Sequence, residues 1–324
     1  MSPAPERTDD GLSTVSSADA LSLAANIGAR FGETALGILH YGSRAQGRAA
    51  RADSNFDFVV VITRYGDAYR AAARVPGARV RPWRAALLAR LLPPNAMAVR
   101  REDAAGEAGA KCLVVSHRDF ARECSARARD HFMQARMLQT VQVAWARDPV
   151  AADAISSVVR HARERGFDWA RVFLPRTFDL AAYCRTLIEV SFAHEIRAEA
   201  ADHAAVLFAA QRDLLFAIHG PVLAGLVARG VLEREADAFR QVHPPGLWRR
   251  WRVRNHFRWS LVRTSLRLLK HPFLYEGWLN YLTRKVHRST GETIVLTERE
   301  RRRPLLFLWP RVVRYIRRRP HGRP

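Results

Sequence analysis

The spacing of apolar positions changes along the chain, and the changes mark out its elements. From Ala18 to Gly32, apolar residues recur every three or four positions behind Ser16 and Ser17, which predicts a first helix capped by one of these serines. Thr34 to Tyr41 and Phe56 to Ile62 read as strands. Short helices are expected at Asp67 to Val75 and Trp83 to Leu92, separated by "PGARVRP" and ended by Pro93-Pro94. "NAMAVRRE" and "AKCLVVS" predict a hairpin across the polar, glycine-containing link "DAAGEAG". Ser116 holds the position of a helix cap, with Asp119 three residues on. "TVQVAWA" is a further expected strand, and "DPVAADAISSVVRHARERG" a helix with Pro149 in its first turn.

After about residue 150 the helical spacing takes over almost entirely, through "LPRTFDLAAYCRTLIEVSFAHEIR", "DHAAVLFAAQRDLLFAIHG" and "PVLAGLVARG". A mixed α/β portion followed by a helical block predicts two domains. The expected class is α+β. A mixed sheet with flanking helices occupies residues 16–150, an all-helical domain 151–248 and a basic helical region 249–324, while 1–15 form a loose tail.

Composition supports a globular body: 324 residues, 48% of them hydrophobic, are enough for a real core. Cys112, Cys124 and Cys184 are too few for a disulfide framework and lack metal-ligand spacing, so a reducing cytoplasm is the simple expectation. The polar, acidic start "MSPAPERTDDGLSTVSS" lacks the features of a signal peptide. No stretch carries the roughly 18 uninterrupted apolar residues of a membrane span.

Charge sharpens the picture. The net charge is +22, and residues 249–324 hold 21 Lys and Arg against four acids, a surplus of 17. Such a section is suited to a polyanion, either nucleic acid or an anionic membrane surface. Within it, "WRRWRVRNHFRWSLVRTSLRLLK" interleaves Trp and Phe with Arg, and "RERRRPLLFLWPRVVRYIRRRP" encloses a short apolar knot, Leu305–Trp309. The knot is too short to span a bilayer but suits an interfacial segment whose arginines meet lipid phosphates. Only Lys111, Lys270 and Lys285 among the 53 bases are lysines. A lysine retained against that bias points to a need for a compact ammonium rather than a planar fork.

The candidate chemistry lies in "YGSRAQGRAARADSNFDFVVVI". A Gly-Ser turn after a strand exposes backbone N–H groups and a hydroxyl, which can cradle a triphosphate. Gly42 permits close approach, and Asp57 on the next strand can hold Mg²⁺ against the phosphates. The plainer reading is a strand-turn-strand with a solvated aspartate at its mouth. The string resembles the nucleotidyltransferase superfamily that includes DNA polymerase β, whose signature is G-S, a loop and D-x-D. That resemblance implies Mg²⁺-dependent attack on the α-phosphate of a nucleoside triphosphate, with residues 16–150 as the nucleotidyltransferase domain. Here Asn55 stands where the first acid is expected; its amide is a weak, uncharged metal ligand, and Asp53 is a conceivable substitute.

The segment from Lys111 to Pro149 narrows the resemblance. It is similar to the mitochondrial-type phosphatidate cytidylyltransferases, or CDP-diacylglycerol synthases, and their bacterial relatives. That family has a G-S turn, a strand led by a single acid, a "K-Y-x-V-x-S" strand and a "G-R-x-Q-K-P-V" segment. Lys111 and Ser116 match, with Cys112 in place of the aromatic residue. "ARMLQTV" matches at Arg136, Gln139 and Val141 with a one-residue shift and lacks the Lys-Pro. The resemblance covers about residues 35–150. It implies that Asp57 binds metal, that Gly42, Ser43, Arg44, Gly47 and Arg136 surround CTP, and that Lys111 contacts phosphate near the reacting centre. It also makes the single acid ordinary. The implied reaction joins CTP and phosphatidic acid, on the inner, cytoplasmic face of a membrane reached through the basic C-terminal region.

Two other readings stand beside it. One is a nucleotidyltransferase acting on nucleic acid or a small acceptor, with the tail on phosphate backbone. The other is an inactive regulatory module, which Asn55 favours and Lys111 disfavours. Glu102, Asp103 and Glu107 read better as surface loop, and His117 and His131 as packing or surface histidines.

Overall fold

The computed structural model of the protein describes residues 17–46, 55–75, 81–99, 109–194, 203–270, 274, 283 and 296–302. Gly47, Asp53, the acids at 102, 103 and 107 and the apolar knot at 305–309 lie outside the described residues.

The chain begins with α1 (Ala18–Phe31), capped by Ser17, whose hydroxyl oxygen accepts the Ala20 N–H at 3.3 Å. Then come β1 (Ala35–Tyr41), β2 (Phe56–Ile62), α2 (Tyr65–Ala73), α3 (Pro82–Leu91), β3 (Asn95–Val99) and β4 (Ala110–Ser116). They are followed by α4 (His117–Glu123), α5 (Gln134–Met137), β5 (Gln142–Ala146) and α6 (Pro149–Glu164). Ser116 and Asp148 cap α4 and α6 through the backbone N–H groups of Asp119 and Ala151. The helix expected from Asp67 begins earlier, at Tyr65, because that residue is buried and its hydroxyl donates to Asp119 at 2.7 Å.

The five strands form one mixed sheet in the order β3-β4-β2-β1-β5. β2 is central, antiparallel to β1 and parallel to β4. Helices α1 to α3 pack on one face over Phe56, Phe58, Val60, Ile62, Cys112 and Val114. On the other face, Phe120 of α4, Met137 of α5 and Ile155 and Val159 of α6 pack over Leu39, Val59, Val61, Leu113 and Val115. A strand covered on both sides needs apolar residues at every position, which is why "FVVVI" does not alternate. Each such Val or Ile stabilises the fold by about 1.5–3 kcal/mol.

The second half departs from the expected all-helical domain. It contains α7 (Gly166–Ala170), β6 (Thr177–Asp179), α8 (Leu180–Ala193), α9 (His203–Ala228), β7 (Leu232–Glu235), β8 (Ala238–Gln241) and α10 (Leu247–Leu268). Its three strands make a second antiparallel sheet in the order β6-β8-β7. Strands of three or four residues are too short to display an alternating period. This sheet is anchored instead by a cross-strand aromatic pair, Phe178 opposite Phe239, with ring centroids 6.1 Å apart. Helix α9, over Ala204–Ala228, is long and apolar enough by length and composition to cross a membrane. In this fold it packs along α8 and buries Leu207, Leu215 and Leu223.

Helix α10 links both halves. Phe257 fills the core built around α8 and α9. One helical repeat on, Ser260 accepts the His131 N–H at 2.9 Å. Arg263 and Arg267 grip buried Asp130 at 2.8 and 2.6 Å, and Arg267 also donates to Pro93 O at 2.7 Å. Burial would raise the Asp130 carboxyl, but the two guanidiniums outweigh it and hold it below the usual carboxylate range.

Candidate functional site

Alternation along the strands decides what faces what. Leu39, Val59, Val61, Leu113 and Val115 belong to the α4–α6 face, so Tyr41, Asp57 and Lys111 point the same way. The register puts these three in one row: Tyr41 opposite Asp57 across β1 and β2, and Asp57 beside Lys111 across β2 and β4. All three are half-buried, at the end of the strands where the apolar lining stops. The carboxylate and the ammonium thus come from adjacent central strands, on backbone fixed by a continuous ladder.

The Gly-Ser turn is packed directly against this row. Gly42 adopts φ +83°, and a methyl group there would sit 2.8 Å from Asp57 Oδ2. Only glycine satisfies both the backbone and the contact. Ser43 and Arg44 follow in the turn and are half-exposed. Two glutamines pin the turn from below: Gln142 Nε2 donates to Ala45 O at 3.2 Å, and Gln46 Nε2 donates to Gln139 Oε1 at 3.3 Å. The resemblance had selected Gln139 but not its partner. Gln142 gave no signal in the sequence, because only the fold shows it opening β5 with its side chain buried.

The other expected residues separate. Arg136 on α5 lies 3.6 Å from the Phe132 ring centroid and 6.0 Å from that of Tyr41, so its guanidinium borders the row. Arg44 turns onto Phe56, 4.3 Å from the ring centroid, toward the opposite face of the sheet from Asp57. Asn55 has a backbone duty: its Oδ1 accepts the Gly109 N–H at 3.3 Å, joining the loop before β2 to the start of β4. His131 is a packing histidine, buried with Nε2 2.9 Å from Ser191 Oγ and its ring edge-on to Trp169.

Among the described residues no group of three His, Cys, Asp or Glu side chains forms a metal cage. Mg²⁺ does not need one, since it is commonly held by one or two carboxylates, with waters and substrate phosphates completing its shell. Asp57 beside a glycine turn fits that donor set. The three thiols do not contribute: all are buried, and burial pushes Cys112 and Cys184 up to about 12 and raises Cys124 as well.

A second feature was not legible as geometry in the sequence. Helix α10 has two faces. Phe257, Ser260, Thr264 and Arg267 are buried, while Trp248, Trp251, Trp259, Val262 and Leu266 are exposed on the opposite side. The indoles of Trp248 and Trp251 stack with centroids 4.8 Å apart, and exposed Arg252, Arg254 and Arg258 flank the stripe. Comparison with protein-family models gives no match for the chain, and no curated protein matches it either.

Proposed function

We propose that the protein is a Mg²⁺-dependent nucleotidyltransferase that moves the cytidylyl group of CTP onto phosphatidic acid, giving CDP-diacylglycerol and pyrophosphate. The observation that carries this reading is the glycine turn packed on Asp57, with Lys111 next to it in register. A triphosphate laid over the Gly42–Ser43 turn meets backbone N–H groups, and its charge is balanced by Lys111 and Arg136. Asp57 would hold Mg²⁺, which supplies charge neutralisation on the phosphates. A phosphate oxygen of the lipid attacks the α-phosphorus, and the bond to the bridging oxygen of the β-phosphate breaks. The nucleophile is already anionic, so no strong general base is required. Asn55 then serves the backbone, and one acid on β2 is sufficient.

The choice of a lipid acceptor rests on the resemblance and on α10. Its Trp stripe with flanking arginines fits a bilayer interface, where indoles sit at headgroup depth and guanidiniums meet phosphates. This supports a peripheral protein on the cytoplasmic face of a membrane. Nucleic acid as acceptor is the second reading, and the exposed Val262 and Leu266 disfavour it because phosphate backbone offers them no apolar partner. The test is a screen of labelled CTP and ATP against phosphatidate vesicles, glycerol phosphate and single-stranded nucleic acid. Label is expected in lipid with CTP alone. Transfer to nucleic acid, or to lipid from ATP only, would replace the proposal.

A further inference from the structure

A groove on the outer side of the α4–α6 layer is lined by four arginines and, among the described residues, no acid. Arg118 and Arg122 come from α4, Arg127 from the segment after it, and His161 and Arg165 from one side of α6 and its end. The groove has a volume of about 530 Å³, within the range of small-molecule sites. Two of its arginines are set from behind. Arg122 is held by Asp119 and by Glu123, the latter at 3.3 Å, and Arg165 by Asp168 at 2.7 Å. Arg118 and Arg127 are exposed and have no carboxylate partner among the described residues. The charges of Arg118 and Arg127 are therefore not balanced by a carboxylate, and an anion bound between them removes their mutual repulsion. Guanidinium forks suit the oxygens of phosphate in particular.

We propose that this groove is a second anion site, recognising a phosphomonoester or pyrophosphate group, and distinct from the row at Asp57 and Lys111. Arg118 and Arg127 are the recognition residues, Arg122 and Arg165 the pre-set ones, and His161 adds a donor at the rim. The proposal does not depend on the chemistry assigned to Asp57.

The test titrates inorganic pyrophosphate into the full chain by calorimetry in EDTA, where a metal-dependent nucleotide site contributes little. A parallel arm measures flotation with vesicles containing phosphatidic acid. The variant is Arg118→Ala/Arg127→Ala; both side chains are exposed, and an unchanged Tm checks the fold. Each lost guanidinium–phosphate bond is expected to weaken pyrophosphate binding about tenfold. Arg118→Lys/Arg127→Lys should retain part of the affinity. Loss in the vesicle arm alone identifies a lipid headgroup as the source of the phosphate, and loss in solution a free one. Equal binding by wild type and the Ala variant in both arms overturns the proposal, as does no binding by wild type in either.

Discussion

A methyl group at position 42 has nowhere to go. It would meet the Asp57 carboxylate, and φ +83° strains any L side chain. Gly42→Ala is therefore expected to cost about 1–2 kcal/mol of stability and to displace the carboxylate. Both effects are measurable, as a lowered Tm and as lost activity. Lys111→Ala should keep the fold, since the side chain is only half-buried, and lower kcat on the order of 10²–10³-fold, as loss of a group that stabilises transition-state charge does. Lys111→Arg should not restore full rate, because a fork does not replace a point charge. The scarcity of lysine was a two-edged signal. Lys270 also stands against the arginine bias, and its ammonium is caged by Leu92 O, Pro94 O and Asn95 Oδ1, the last two at 2.8 Å. There the compact charge serves packing. What separates the two lysines is register: Lys111 lies beside a carboxylate at a strand end, Lys270 beneath a loop.

At the scale of elements, the sheet was largely legible. β2 runs over the expected residues, and the two strands of the expected hairpin pair antiparallel, with β3 described as far as Val99 and most of the link outside the described residues, because long apolar runs leave few other pairings. The β6-β8-β7 sheet was hidden because its strands are too short for periodicity. Asn55 was readable as a departure, but its backbone duty was not, since it depends on Gly109, fifty-four residues away. The two faces of α10 were hidden for a similar reason. Its Arg and Trp residues all look surface-bound until Asp130 and the His131 N–H claim one side. Two predictions belong here. Arg267→Ala removes one of the two guanidiniums on buried Asp130 and the donor to Pro93 O, and should destabilise by about 1–3 kcal/mol, read as a lowered urea midpoint; a surface role would leave the midpoint unchanged. Trp248→Ser/Trp251→Ser should leave Tm intact and reduce partition onto anionic vesicles more than tenfold, given about 1.5–3 kcal/mol for each large apolar side chain withdrawn from water. Unchanged partition would remove α10 as the membrane-facing element.

For the whole molecule, acid is the expected weak point. Burial pushes the His219 imidazole from its usual value down to about 4, with Nε2 2.8 Å from Leu138 O and Nδ1 without a partner among the described residues. Burial likewise takes His40, beneath the sheet's aromatic cluster, to about 4. A depressed histidine binds its proton more readily in the unfolded chain. The stability it contributes is present above about pH 6.5 and is lost as pH falls through that value towards 4. The urea midpoint should therefore drop between pH 7 and 5, and His219→Gln should flatten that slope; an identical slope in the variant would contradict this origin. The proposed activity places the triphosphate turn, the single carboxylate and the lipid-facing helix in one molecule. It is tested most directly by where the label of CTP goes. With Mg²⁺ and phosphatidate vesicles, α-labelled CTP should yield labelled lipid and γ-labelled CTP only labelled pyrophosphate, both lost in Asp57→Ala. Lipid labelled from the γ-position, or activity undiminished in Asp57→Ala, would contradict the account.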